Sequence, residues 1–267
     1  MKAIEKKFAE MGARIKVHGP SGPGINMQRN AGFTLDILKD KQGDYYDLMV
    51  SDPNVEVQVA DLRKKDRHLL LAVIEPNDCP GLPNPAKKFL CGHDERNWFV
   101  AGVSQNANNV DSAKQVLKPR GVVQSQNKSK VKHKNRHKRK NEGFVRQGEW
   151  FFLPDEKVVV DTKMILKKEP MRRGRGKPHM AEELYRCGGT SVHVHPRYAS
   201  NGLVDREFRQ LGDHAKRSAG WSIMARNAAV YVRGKIRHAD HKTIELKGWH
   251  RVVPNNETQS RNVAFLD

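Results

Sequence analysis

Cysteine is scarce in this chain. Cys79, Cys91 and Cys187 are the only three among 267 residues, and no two stand in Cys-x-x-Cys spacing. That excludes the disulfide framework of a small secreted domain and the paired ligands of a zinc finger, and it makes a reducing, cytoplasmic location the expectation. Long apolar runs are missing too: none approaches the ~20 residues that span a bilayer, so no membrane partner is expected. The opening MKAIEKKFAEMGARIKVHG has no apolar signal core followed by a small-residue cleavage site. It reads as a short helix with Ile4, Phe8 and Met11 on one side. Also absent are the G-x-x-x-x-G-K-[ST] phosphate loop, the G-x-S-x-G elbow and the G-x-G-x-x-G dinucleotide turn. No helix-turn-helix, finger or heptad pattern is readable, which argues against specific major-groove recognition.

Acidic residues are missing where positive charge is densest. Lys and Arg outnumber Asp and Glu 49 to 30, a formal charge of +19 with a pI near 10.0. A field of that size attracts polyanions and speeds encounter with them. From Lys118 to Asn141 there is no Asp or Glu, and within KSKVKHKNRHKRK (128–140) eight of thirteen residues are Lys or Arg. The alternatives are a solvated linker and a surface that grips phosphates; the absence of even one acid favours the surface. Its candidate contacts are Lys128, Lys130, Lys132, Lys134, Arg136, Lys138, Arg139 and Lys140.

Two further basic features differ in kind. In MRRGRGKPH (171–179), Gly between cations keeps the backbone open, so Arg172, Arg173, Arg175 and Lys177 can reach phosphates. Along VYVRGKIRH (230–238), strand alternation puts Val230, Val232 and Ile236 on one face and Tyr231, Arg233, Lys235 and Arg237 on the other. With Trp249 and Arg251 from the next strand, that second face suits a single strand whose bases stack on rings.

What is present otherwise is strand signal. Phe33–Leu38 and Tyr45–Val50 flank a turn, VEVQVADL (55–62) alternates, HLLLAVIE (68–75) reads as a central strand, and FLCGHDERNWFVAGV (89–103) as one strand with a polar centre. NNVDSAKQVLKP (108–119) and 203–217 have helical spacing, KVVVDTKMIL is strand-like, and the last two strands read as a hairpin turning at Lys247-Gly248. The expected fold is α+β and strand-rich, with two small barrel- or sandwich-like units. An N-terminal α+β domain (1–118) and a C-terminal one (144–267) are joined by a basic linker (119–143).

Histidine supplies the enzymatic alternatives. His93 and Glu95 in CGHDERNWF resemble the His-x-Glu of zinc deaminases, although the downstream P-C-x-x-C ligands are absent; Cys79, Cys91, His93 and Cys187 make a possible four-ligand zinc set. His193, His195 and Pro196 resemble the His-x-His-Pro motif of JAB/MPN-type metalloproteases, which makes the two histidines metal candidates. The Ser and Asp of that family would fall on Leu203 and Arg206, with Asp205 one position early. His238, Asp240, His241 and Asn255 loosely resemble the His-Me finger of HNH nucleases, which implies metal-assisted phosphodiester cleavage with these four as candidates. The leading expectation is a nucleic-acid-binding protein preferring RNA or single strands, with no cofactor. The alternatives are a nuclease using a divalent metal, and a structural protein docking on RNA or an acidic partner within a larger ribonucleoprotein.

Overall fold

Ile4, Phe8 and Met11 recur at helical spacing in α1 (Lys2–Met11), and all three are buried, as that spacing predicts. The computed structural model describes residues 2–19, 32–76, 84–173 and 177–257; Cys79, Arg175 and most of NETQSRNVAFLD lie outside the described residues. After α1 come β1 (Ile15–His18), β2 (Phe33–Asp40) and β3 (Gly43–Val50), a three-stranded sheet in the order β1-β3-β2. β4 (Glu56–Arg63), β5 (His68–Ile74), β6 (Ala86–Asp94) and β7 (Asn97–Val103) form an antiparallel meander. β5 lies inside that sheet, paired on both sides, which accounts for its continuous apolar run. Phe8, Phe33, Leu35, Tyr46, Leu69, Leu71 and Phe89 make one core between these elements. The buried Tyr46 hydroxyl donates to the Gly92 and Phe99 carbonyls at 3.1 and 3.0 Å.

The segment 89–103 is two strands, not the single one expected. Asp94 pairs with Asn97 across a tight turn, and Glu95 takes φ +51° there. The other face of this sheet packs on α2 (Val110–Val116), whose N-cap Asn109 accepts from the Ser112 amide at 2.8 Å. Pro119, expected to stop that helix, also opens the next one, α3 (Arg120–Lys128).

Residues 119–143, expected as a linker, carry secondary structure over 120–128, 133–135 and 140–141. α3 buries Val122 and Gln126, a 3₁₀ turn covers His133–Asn135, and β8 (Lys140–Asn141) joins a sheet. Gln126 Nε2 donates to the Arg136 carbonyl at 2.8 Å, and Ser125 Oγ to the Gly143 carbonyl at 2.6 Å. The lysines at 128, 130, 132, 134, 138 and 140 are exposed, whereas Arg136, His137 and Arg139 are half-buried.

β9 (Phe144–Gln147), β10 (Trp150–Pro154), β11 (Leu166–Met171), β12 (His179–Cys187), β13 (Thr190–His195) and β14 (Ala199–Leu203) follow. α4 (Asp205–Arg209), α5 (Asp213–Lys216), β15 (Ser222–Arg226), β16 (Ala229–Arg237) and β17 (Ile244–Pro254) complete the described chain. The large sheet runs β11-β12-β16-β17-β10-β9-β8, and a small one β14-β13-β15. These are open sheets, and the expected barrels are not found among the described residues. Strand spacing along a chain is the same for open and closed sheets, because closure depends on which distant strands pair. Two local expectations also change. Helical spacing over 203–217 resolves into two short helices broken at Gly212, and in KVVVDTKMIL a strand begins only at Leu166, with Val159 89% exposed. Among the described residues no helix is long and apolar enough to cross a membrane.

Phe8 is fully buried with its ring 4.9 Å from that of Tyr46. Phe8→Ala is expected to cost about 3–5 kcal/mol of unfolding free energy, read as a lower urea midpoint with an unchanged slope.

Candidate nucleic-acid cleft and the histidine cluster beside it

The expected turn at Lys247-Gly248 is the interior of β17. β16 and β17 pair Val232 with His250 and Gly234 with Leu246, so three residues of β17 face one of β16 in a bulge. Gly234 and Gly248, at φ +83° and +78°, supply the left-handed backbone that this mismatch needs. The hairpin therefore turns later in space and earlier in sequence, at 238–243, and that loop carries His238, Asp240 and His241. It lies beside His179, the first residue of β12, and beside Gln147, Gly148 and Glu149 between β9 and β10.

His179, His238 and His241 each present a ring nitrogen, and these atoms lie within 4.8 Å of one another. The rings stack: 4.2 Å between the centroids of His179 and His238, 4.7 Å for His238–His241 and 5.6 Å for His179–His241. Gln147, also buried, determines the proton on His179. Its Nε2 donates to the Lys242 and Ile236 carbonyls at 2.7 and 3.3 Å, so its Oε1 accepts from His179 Nδ1 at 3.0 Å. The remaining Nε2 of His179 faces a Glu149 carboxylate oxygen at 3.5 Å, and both atoms are buried without a hydrogen-bond partner. His241 Nδ1, 3.7 Å from Glu95, is likewise buried and unpartnered. Burial, then the neighbouring imidazoles, push His238 and His241 below the usual histidine range. Burial pushes Glu149 up, but the facing His179 outweighs it and the carboxyl sits below its ordinary value. Gly148, at φ +56°, passes so close that a Cβ there would stand 2.8 Å from His241 Nε2.

His241, Gly148 and Glu149 form one wall of a cavity of about 610 Å³. Lys114, Lys118, Lys134, Lys138, Arg139 and Arg146 line it elsewhere, together with His68, His133 and His137. Several of these cations are neutralised. Arg139 pairs with Asp94 and with Glu95 (2.6 Å), Arg146 with Asp94 (2.9 Å), and Lys114 with Asp66 (2.9 Å). Lys118, Lys134 and Lys138 have no acidic partner among the described residues; the Lys118 ammonium donates to Gln115 Oε1 at 3.1 Å. Burial, with Arg136, Arg146 and Lys114 nearby, lowers Lys118 to about 8.

The remaining expected residues divide. Asp240 is held by Lys177, whose ammonium lies 2.9 Å from both carboxylate oxygens, while its amide donates to His238 Nδ1 at 3.1 Å. Asn255 lines the cavity but its Oδ1 accepts from Arg173. Lys128, Lys130, Lys132 and Lys140 are exposed away from the cavity lining, and Arg136 donates to Asn127 Oδ1 at 2.8 Å. Tyr231, Arg233 and Trp249 do share a face of the large sheet. Arg233 lies 4.9 Å over the Trp249 ring and bonds Glu183, and Tyr185 packs against both Tyr231 and Trp249. Lys235, Arg237 and Arg251 are exposed on that sheet, and a smaller cavity of about 390 Å³ is bordered by Arg172, Arg186 and Arg251.

His193 and His195 point to separate places. His193 stacks on Phe208 at 4.0 Å. His195 is buried, its Nδ1 accepting from the Arg197 and Tyr198 amides and its Nε2 donating to the Ala219 carbonyl. Cys91 is in the N-terminal core, where burial pushes its thiol up, and Cys187 ends β12. Sequence reasoning missed His179, Gln147 and Glu149. The available signal was polar residues at inward positions of strands, with His179 alternating with Ala181 in β12. No protein-family profile, curated protein or solved structure matches this chain.

His68 and His137 are each held near 4, first by burial and then by lysine charge (Lys114 and Lys118 respectively). Unfolded histidine takes its proton near 6.5, so the unfolded state binds more protons and stability falls as pH drops from about 6.5 to about 4. Urea midpoints at pH 7, 6, 5 and 4 are expected to decline, and His137→Leu to flatten that decline.

Proposed function

We propose that this chain binds nucleic acid, RNA or single strands in preference to duplex. The observation that carries this reading is the cleft in which Lys118, Lys134 and Lys138 stand without acidic partners. Unneutralised ammonium groups at a cavity, Lys118 buried and Lys134 and Lys138 exposed, are positioned for phosphate oxygens. A cavity of about 610 Å³ has the size class of a small-ligand site, which admits a nucleotide or a strand end and leaves a duplex outside. The Tyr231, Arg233 and Trp249 face, with exposed Lys235, Arg237 and Arg251, offers rings for stacking and cations for the backbone beyond the cleft. The exposed lysines of 128–140 add affinity without discriminating sequence.

A metal-dependent nuclease is the second reading, favoured by the clustering of His179 and His238 with His241, which lines the same cleft. Probe cleavage that requires a divalent ion would select it. A role only within a larger ribonucleoprotein would appear as weak binding to every isolated probe.

Fluorescence anisotropy with matched single-stranded RNA, single-stranded DNA and duplex, in EDTA over a salt series, tests the first reading. The double variant Lys134→Glu, Lys138→Glu is expected to bind at least tenfold more weakly, with a log–log salt slope smaller by about 1.4. Trp249→Ala is expected to lose ~1–3 kcal/mol for one stacked base. Affinity should fall as pH rises through about 8, where Lys118 loses its proton, and Lys118→Met should remove that step. Equal, salt-insensitive affinity in the double variant would sink the cleft as the binding site.

A further inference from the structure

We propose that His179, His241 and Glu149 hold a divalent transition-metal ion at the wall of the cleft, with a coordination position left open to the cavity. Two histidines and a glutamate are the ligand set of one class of catalytic zinc site, in which water takes the fourth position. The nitrogen-rich set suits zinc over magnesium or calcium.

Two buried atoms here lack partners. The Nδ1 proton of His179 goes to Gln147 Oε1, so Nε2 is the atom that faces the Glu149 carboxylate, 3.5 Å away. Without a positive charge between them these two atoms would repel, and neither has another hydrogen-bond partner. A cation between them removes the conflict. His241 has its Nδ1 buried 3.7 Å from Glu95, beyond hydrogen-bond distance, and its Nε2 on the Gly148 side. Behind His179 Nδ1 stands the Gln147 oxygen, the outer support that metal-ligating histidines use to present Nε2. Tetrahedral ligands at ~2.0–2.1 Å from zinc lie ~3.3 Å from one another. The His179–Glu149 separation of 3.5 Å already fits, and the histidine nitrogens, within 4.8 Å of one another, need to close by up to about 1.5 Å. Gly148 leaves the space free, since a Cβ there would crowd His241 Nε2 and the His179 ring at 2.8 and 3.3 Å. His238 is not needed as a ligand: its Nδ1 accepts from the Asp240 amide and its Nε2 lies 3.3 Å from the Lys177 carbonyl.

This inference stands without the nucleic-acid reading and deepens the nuclease one. The test uses the full, untagged chain, stripped with EDTA, dialysed, and titrated with zinc chloride in a calorimeter without nucleic acid. One equivalent is expected at submicromolar affinity, with a rise in melting temperature. Glu149→Gln and His241→Ala should each weaken binding at least 100-fold, and Gln147→Leu by about 10–100-fold. Melting curves of the metal-free variants establish that they fold, so loss of binding is not loss of structure. If the folded wild-type chain binds none of zinc, manganese or cobalt saturably, or if folded Glu149→Gln and His241→Ala bind as the wild type does, the proposal is wrong and a proton bridges His179 and Glu149. Since anisotropy in EDTA contains no metal and the titration contains no nucleic acid, either reading can fail alone.

Discussion

Asp94 and Glu95, at the tip of the β6–β7 hairpin, are the carboxylates on which three separate parts of the chain close. Their side chains are only 13% and 14% exposed, so their charges need compensation where they stand. Arg139 answers both, Arg146 answers Asp94, and the Lys242 amide donates to Glu95 at 2.6 Å. The four-stranded sheet, the basic segment and the histidine loop are thereby tied at one corner, and Asn97 Nδ2 reaches the Asp240 carbonyl at 3.4 Å beside it. Removing one partner would leave another buried charge exposed to the full cost of desolvation, which makes the corner a constraint on everything around it.

The same corner explains how a run without a single acid can hold structure. Like charges repel, and by themselves they keep a segment extended. Here the repulsion is relieved by division of labour. Arg139 carries a planar fork that matches two carboxylates and turns inward, while the lysines, strongly hydrated point charges, stay in water. Val122, Gln126 and Val131 provide the buried side. The cations that remain unneutralised, Lys118, Lys134 and Lys138, collect at the cleft, whose lining also includes Glu149 and His241.

Legibility in the sequence followed the range of the interaction. α1, α2, β4 and β5 were readable because helical spacing, alternation and an apolar run are local patterns. The polar residues of HDERNW were readable as an irregularity but not as a turn, because Asp94 and Glu95 are acidic on account of arginines 44 to 52 residues away. Gly248 looked like a hairpin turn and is a bulge glycine, since a left-handed residue serves either purpose and only the partner strand tells which. His238, Asp240 and His241 stood out by their spacing. His179 and Gln147, in β12 and β9, and Glu149, in the turn after β9, carried no local mark beyond being polar and buried.

The sequence by itself determined the sign and concentration of charge, the strand-rich α+β character, and the alternation that puts Val232 and Ile236 in the core and Tyr231 and Arg233 on the far face. Those properties come from composition and from neighbours two to four residues apart. The tertiary structure alone decided which cations are spent on Asp94 and Glu95 and which face the cleft, and that His179 of β12 meets Glu149 and the half-buried histidines of the 238–243 loop. Neutralisation and ligand geometry are set by distances of a few ångströms between residues far apart in the chain, and such distances exist only once the sheets have paired.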